Sequence, residues 1–131
     1  MTAPASFAHT QAGSLGADAA ATDYYQITCS DDGSGVPGSM LTQVTAVSAG
    51  GPLVSVITRR ASAATNTTDA TAGDVEASPL VWVNGGDGVY DVFVVKAGAG
   101  AVNYVLTYHC MTGANGGGIH TGTTVVVRQN Q

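Results

Sequence analysis

The stretch from Gly88 to Thr112, GVYDVFVVKAGAGAVNYVLTYHCMT, decides the fold of this chain. Two runs of alternating apolar residues flank the short segment 96–100, Lys-Ala-Gly-Ala-Gly. Side chains along a strand alternate between its two faces, so each run can present one continuous apolar face to a core. The pattern predicts a β-hairpin whose two strands both contribute to the interior of an all-β domain.

The faces of these runs indicate where the core lies. In the first run, one face carries Tyr90, Val92 and Val94, and the other face is also apolar apart from Asp91. A strand that is apolar on both faces is typical of the middle of a sheet, so we expect further structure to cover its outer side. In the second run, the face toward the core comprises Tyr104, Leu106, Tyr108 and Cys110.

Seven short strands are predicted in all. Besides the two runs above, the segments with strand composition are 23–29, 40–48, 53–58, 79–83 and 123–131. Segment 61–78 is polar and turn-forming, which predicts a long surface connection with at most one short edge strand. Trp82 alternates within an apolar strand and is expected in the core. The pattern predicts an all-β fold, an antiparallel two-sheet β-sandwich of jelly-roll or immunoglobulin-like type, with about seven or eight strands.

By composition the chain divides into three parts. Residues 1–22 predict an extended N-terminal arm, residues 23–112 the sandwich core, and residues 113–131 a Gly-rich connector followed by a C-terminal strand. We expect the arm to pack on its own sandwich or on a neighbouring molecule. The run Ala-Ser-Phe-Ala at 5–8 is either the small-residue end of a removed export signal or an ordinary flexible tail.

The chain is poor in charge, and this narrows its function. Charged residues make up only 10% of 131 residues, and nine acidic against four basic residues give a net charge of −5. Nucleic acids and anionic membrane surfaces are bound by clustered cations, so neither is an expected partner. No apolar run approaches the ~20 residues of a membrane-spanning helix. Such a surface suits a secreted protein covered by copies of itself, and equally a secreted monomer.

The two cysteines, Cys29 and Cys110, match no metal-binding spacing. Each ends a strand whose alternate residues face the core, so we predict a disulfide between them. It would close a loop of about 80 residues and stabilise the fold by about 4 kcal/mol in the chain-entropy model. A disulfide implies an oxidising compartment, which is the extracellular space or cell surface, or the periplasm. The other interpretation is two buried thiols in a cytosolic protein.

Several motifs resemble a known family. They are Asp23-Tyr24-Tyr25-x-Ile27, the apolar segment 53–57, Gly88-x-Tyr90-x-Val92-x-Val94 and Tyr104-x-Leu106. Over about residues 23–108 the chain resembles the bacterial pre-peptidase C-terminal domain. That resemblance implies a jelly-roll-like sandwich in a secreted protein, with a role in secretion or in binding beside an attached enzyme. The chain departs from the family's pattern in that we expect no attached enzyme, and in adding the segment after Tyr-x-Leu.

The C-terminal segment suggests a mode of assembly. A glycine-rich tether precedes a β-branched strand, Thr123, Thr124, Val125, Val126 and Val127. Donor-strand complementation uses this arrangement, in which a strand of one subunit completes the sheet of the next. A head-to-tail contact of that kind does not close and generates a filament. Two alternatives remain: the strand forms a hairpin with the preceding strand, or the N-terminal arm is the exchanging segment.

Two oxygen-rich loops are candidates for calcium. Asp31 and Asp32 lie in one loop and Asp87 in the other, and calcium takes six to eight oxygen ligands. Neither loop has the spacing of a defined calcium motif, and turn formation explains both without a metal.

Copper is a second metal to consider, because imidazole and thioether ligands both suit it. The candidate ligands are His9, His109, His120, Met40 and Met111. They stand at no diagnostic spacing, so the expectation is that the histidines are surface residues and that the protein has no cofactor.

Catalytic residues are not evident. The sequence has no nucleophile motif G-x-S-x-G and no phosphate-binding loop, and with one Glu and scattered Asp residues no catalytic carboxylate pair is evident. The sequence therefore predicts a non-catalytic extracellular structural protein, a self-assembling subunit of a surface or biofilm-matrix filament. The alternative is a stand-alone secreted module that binds carbohydrate, calcium or copper.

Overall fold

A computed structural model describes residues 9–131 of the chain. In this part the backbone forms nine strands and a short 3₁₀ turn at Ala114–Gly116. The strands are β1 (His9–Leu15), β2 (Asp23–Ser30), β3 (Ser39–Ala46), β4 (Val54–Arg60), β5 (Ala63–Thr68), β6 (Val81–Val83), β7 (Gly88–Lys96), β8 (Val102–Met111) and β9 (Gly122–Gln129).

The strands form two antiparallel sheets. The four-stranded sheet has the order β1-β8-β3-β6, and the five-stranded sheet has the order β5-β4-β7-β2-β9. Their inner faces supply one buried cluster that includes Tyr90, Val92, Tyr104 and Leu106. The prediction of an all-β, antiparallel two-sheet sandwich is therefore confirmed.

The predicted hairpin is wrong. The two runs do form strands β7 and β8, but β7 pairs with β2 and β4 in one sheet, while β8 pairs with β1 and β3 in the other. Segment 97–101 therefore crosses between the sheets instead of closing a tight turn within one. The alternation is the same in both arrangements, because each strand still directs one apolar face inward.

Strand β7 lies in the middle of its sheet, as its two apolar faces predicted. The expected cover on its outer side is not supplied by residues 9–131. Val89 is 44% exposed, and Phe93 is covered by a stacked neighbour in the same sheet, Tyr24, with ring centroids 4.7 Å apart. The cross-strand partner Tyr24 thus covers Phe93, so no additional layer of structure is needed over this side chain.

Three further features differ from the sequence-based expectations or extend them. The part of the N-terminal arm that begins at His9 is strand β1, and β5 is the short edge strand allowed for in segment 61–78. Trp82 is 44% exposed and not buried, because β6 is an edge strand and its neighbour Val83 takes the inward position. The first eight residues of the arm, including run 5–8, lie outside the described residues.

The predicted disulfide is present. Cys29 and Cys110 are bonded, with their Cα atoms 5.5 Å apart and a sequence separation of 81. Both cysteines lie in the buried cluster, so the bond joins β2 to β8 through the core. In residues 9–131 no helix is long and apolar enough to cross a membrane.

Reducing this disulfide is expected to lower the free energy of unfolding by about 4 kcal/mol, because the unfolded chain gains the freedom of an 81-residue loop. Denaturant titrations with and without a thiol reductant measure the difference. The variant Cys29→Ala/Cys110→Ala is the control, since reductant should not change its stability. A loss of less than 1 kcal/mol in the unmodified chain would contradict this account.

Candidate functional site

Both terminal strands of the described chain lie on one side of the sandwich. Strand β1 is the edge strand beside β8, and β9 is the edge strand beside β2. The disulfide joins β2 and β8, and the N–H of Gly16, after β1, donates to the carbonyl of Gln131 at 3.1 Å. We call this part of the molecule, β1 and β9 with their neighbours β8 and β2, the terminal side.

The strand predicted to self-associate pairs within its own chain. Residues Thr123–Val127 of β9 run antiparallel to β2, with Val125 opposite Ile27 and Val126 opposite Gln26. The strand does not form the alternative hairpin with β8, because the connector carries the chain across to the other sheet. Both the exchanged strand and the local hairpin were proposed from sequence; this intrachain pairing with β2 was not.

Strand β9 is held mainly by main-chain pairing and contributes little to the core. Val125 packs against the buried cluster, whereas Val126 and Val127 are 47% and 49% exposed. Polar contacts fix its end: the Arg128 Nε donates to the Gln26 side chain at 2.6 Å, and the Gln129 side chain donates to a main-chain carbonyl at 2.8 Å.

Strand β1 also has a single deep anchor. Leu15 is fully buried, and the other residues of the strand are polar or small and at least partly exposed. Gly13 lies directly over Tyr104, where a Cβ atom would approach the tyrosine hydroxyl to 2.4 Å. Glycine is therefore required at this position for β1 to pack at its present distance from β8.

A buried polar network connects the terminal side to the core. The Tyr104 hydroxyl donates to the fully buried carboxylate of Asp23 at 2.6 Å, and the Tyr25 and Tyr104 hydroxyls lie 2.5 Å apart. The Asp23 carboxylate also accepts the Gln131 N–H at 2.7 Å. Burial and the bond to Asp23 raise the pKa of Tyr104 well above its usual value, so it remains a neutral donor.

Hydrogen bonds from Lys96 hold together the loops that follow β1 and β7. Lys96 is 8% exposed, and its ammonium donates to the carbonyl of Gly16 and, at 2.6 Å, to the carbonyl of Gly100. The N–H of Gly100 in turn donates to the carbonyl of Ala17 at 2.8 Å. The buried ammonium charge is therefore compensated by the carbonyl dipoles of Gly16 and Gly100.

All three histidines of the chain lie together at one end of the terminal side. The rings of His109 and His120 have centroids 4.4 Å apart, and those of His9 and His109 have centroids 6.3 Å apart. His9 also stacks on Tyr108 at 5.7 Å. Burial, and secondarily the proximity of His120 and His9, lowers the pKa of His109 to about 4.

The methionines of the copper hypothesis are placed differently from the histidines. Met40 is fully buried in the core cluster, where it lies opposite Cys110 in the pairing of β3 with β8. His109 immediately precedes Cys110 in β8, so it faces the other side of the sheet. Met111 is 7% exposed and forms a β-bridge with His120. The structure thus brings the three histidines together and leaves Met40 in the core.

The loops proposed for calcium use their oxygen atoms in other ways. Asp31 accepts the N–H groups of Gly33 and Gly35, and Asp32 accepts the N–H of Ser34 at 3.0 Å. These bonds are the Asx turns expected of such sequences. Hydrogen bonds from Ser34, the largest influence, lower the pKa of Asp32.

The second calcium loop, which contains Asp87, is organised by a cation of the protein itself. The Arg60 guanidinium donates to the carbonyls of Gly85, Asp87 and Val89 at 2.7, 2.6 and 2.8 Å. Within residues 9–131, no group of three or more His, Cys, Asp or Glu side chains could hold a metal ion in the positions that the side chains occupy.

Sequence reasoning missed two features of the terminal side. The Asp23 network was not foreseen, although an acidic residue at the start of an apolar strand is a signal, because such a group must be hydrogen-bonded if buried. The convergence of the histidines left no local signal, since residues 9, 109 and 120 meet only through the strand order.

No protein-family model matches the chain, and comparisons with curated proteins and with solved structures likewise give no match. The resemblance to the pre-peptidase C-terminal domain therefore stays a prediction. The functional argument depends on the geometry of the terminal side.

Replacing Tyr104 by Phe is expected to cost about 1–3 kcal/mol of stability, because buried Asp23 loses a donor and the Tyr25 hydroxyl loses its acceptor. Tyr25→Phe is the matched control: it leaves the Tyr104–Asp23 bond in place and should cost less. Denaturant unfolding of the two variants measures both losses. Equal losses would show that the network does not depend on Tyr104.

Proposed function

We propose that the chain is a non-catalytic structural protein of the cell exterior, which self-associates by exchanging its C-terminal strand β9 between copies. The observation that carries the proposal is the way β9 is bound. It lies at a sheet edge with its valines half exposed, paired to β2 chiefly through main-chain groups. Main-chain pairing is the same whichever copy supplies the strand.

The connector before β9 has the length that exchange requires. Residues 112–121, between β8 and β9, are ten residues and would span about 35 Å if extended. In the closed arrangement they form a compact loop, in which Thr112 N–H donates to the Ile119 carbonyl and Gly113 N–H to the Gly117 carbonyl. Opening this loop would break these bonds and side-chain bonds such as that from Ser39 Oγ to the Gly113 carbonyl and the pair between Asn84 and Asn115, none of which involves the buried cluster.

The receiving position is built to recognise β9. A vacant β2 edge would offer its unpaired main-chain groups, and the space above Ile27 and the buried cluster would accept Val125. The Asp23 carboxylate at the end of this edge would be left without the Gln131 N–H. An incoming strand restores these interactions, which favours its capture over an empty edge.

Exchange between identical copies is head-to-tail, since the donor strand and the acceptor edge are different surfaces. Such contacts propagate into a filament unless their rotation closes a ring. The disulfide supports assembly in an oxidising compartment. The low content of charged side chains, 10%, limits electrostatic repulsion between packed copies.

The exchange is tested by cross-linking two populations of the chain. One carries Gln26→Cys and the other carries Val126→Cys with a mass tag; these positions are directly opposite in the β2–β9 pairing. Cross-strand neighbours lie within disulfide distance. If β9 is exchanged, mild oxidation of the co-assembled mixture should give a mixed disulfide between chains.

The control for chance collision is Gln43→Cys, a glutamine on β3 in the other sheet, mixed with the same Val126→Cys chain. It should give much less mixed product. The double variant Gln26→Cys/Val126→Cys reports the closed form. If it bonds only within one chain, and the mixed populations give no cross-link above the control, strand exchange is wrong.

Deletion of residues 122–131 tests the role of β9 in assembly. The full chain is expected to sediment as a large species that resists dilution, whereas the truncated chain should be a monomer with a lowered unfolding midpoint. Adding the peptide of residues 122–131 should raise that midpoint, and the same peptide with Val125→Asp should not, because its charge would face the core cluster. A full chain that stays monomeric at high concentration would contradict the proposal.

A further inference from the structure

We propose that His9, His109 and His120 together bind one divalent transition-metal ion, Zn²⁺ or Cu²⁺, at the end of the terminal side. The observation is the juxtaposition itself. The chain has three histidines, and the strand order places the His109 ring beside both of the others, with centroid separations of 4.4 Å to His120 and 6.3 Å to His9.

The cluster contains nitrogen atoms that lack protein partners. The Nδ1 atoms of His9 and His109 are buried and have no hydrogen-bond partner within residues 9–131. A buried polar atom without a partner is unfavourable, and each such atom in a folded protein calls for an explanation. A metal ion that accepts a lone pair from imidazole nitrogen satisfies the need.

The spacing of the rings suits a shared metal after side-chain rotation. Metal–nitrogen bonds of about 2.0–2.1 Å in tetrahedral geometry place the centroids of two ligating imidazoles roughly 5 Å apart. The observed separations of 4.4 and 6.3 Å lie on either side of that value. In their present positions the three side chains do not form a group that could hold a metal ion. Turning the imidazoles about their side-chain bonds is the change required.

The donor set defines the class of ion. Three neutral imidazoles suit zinc and copper, whereas calcium and magnesium require oxygen ligands. Both cysteines are in the disulfide, so thiolate ligation is not available. Three protein ligands leave a fourth position for water or an external ligand.

The position of the site gives it a structural consequence. His9 opens β1, His109 is near the end of β8, and His120 lies in the connector that leads to β9. A metal held by all three would fasten the start of β1 and the connector to β8. The cluster belongs to the closed form of the chain, in which His120 is bridged to Met111, because His120 lies in the connector that opens when β9 is exchanged.

Metal binding is tested by calorimetric titration of the full chain with ZnCl₂ and, separately, CuCl₂ in a non-chelating buffer. We expect one ion per chain, and at least about a 100-fold loss of affinity in each of His109→Gln and His120→Gln, since even outer-shell partners of metal ligands are worth 10–100-fold. Thr107→Gln, on the same strand and face as His109, is the matched control and should bind as the unmodified chain does. Both ions are titrated because the Irving–Williams order places Cu²⁺ above Zn²⁺ at any imidazole site, whichever ion the protein holds.

A second measurement needs no variant and covers the case in which a substitution impairs folding. Electron spin-echo spectroscopy of the Cu²⁺-loaded, unmodified chain should show coordination by three imidazoles. The proposal is overturned if neither ion binds, if affinity in His109→Gln and His120→Gln stays within threefold of the unmodified chain, or if the spectrum shows one imidazole or none. Copper bound through the terminal amine instead of the cluster would give that last result.

Discussion

The bond between Cys29 and Cys110 is the constraint on which the rest of the structure depends. It fixes β2 against β8 across the core, and each of these strands carries one terminal strand on its outer edge. The disulfide thus holds the two sheets together at the place where β1 and β9 pack, and it does so without a contribution from either terminal strand. Strands β1 and β9 can therefore be held mainly by pairing with the neighbouring strand, and of their side chains only Leu15 and Val125 reach the interior cluster.

The polar network around Asp23 connects the two sheets with the C-terminal end of the chain. Asp23 is fully buried, so its carboxylate must be satisfied, and the two groups that satisfy it come from different places: the Tyr104 hydroxyl of the opposite sheet and the Gln131 N–H beyond β9. The hydrogen bonds of the Asp23 carboxylate therefore depend both on the distance between the sheets and on the presence of the C-terminal segment.

The residues show how far sequence could lead. Alternation identified the strands and the inward faces, and two inward cysteines identified the disulfide. Alternation is silent about partners, so β7 and β8 were joined in one sheet although they belong to two, and Trp82 was placed inside although edge strand β6 turns it outward. The Asp23 network and the histidine cluster are products of strand order, which no local pattern encodes.

The four sheet edges of this sandwich are not equivalent, and their differences bear on association. An exposed edge is a template for further pairing unless it is short, charged or polar. Strand β6 has three residues, and β5 reads Ala-Ala-Thr-Asn-Thr-Thr, so that side is protected. On the terminal side, β9 offers three consecutive valines with Arg128 as its one charge. Strands β1 and β9 each reach the interior cluster through one apolar side chain, Leu15 and Val125, so the valine-rich edge and a strand with a single apolar anchor lie on the same side of the molecule.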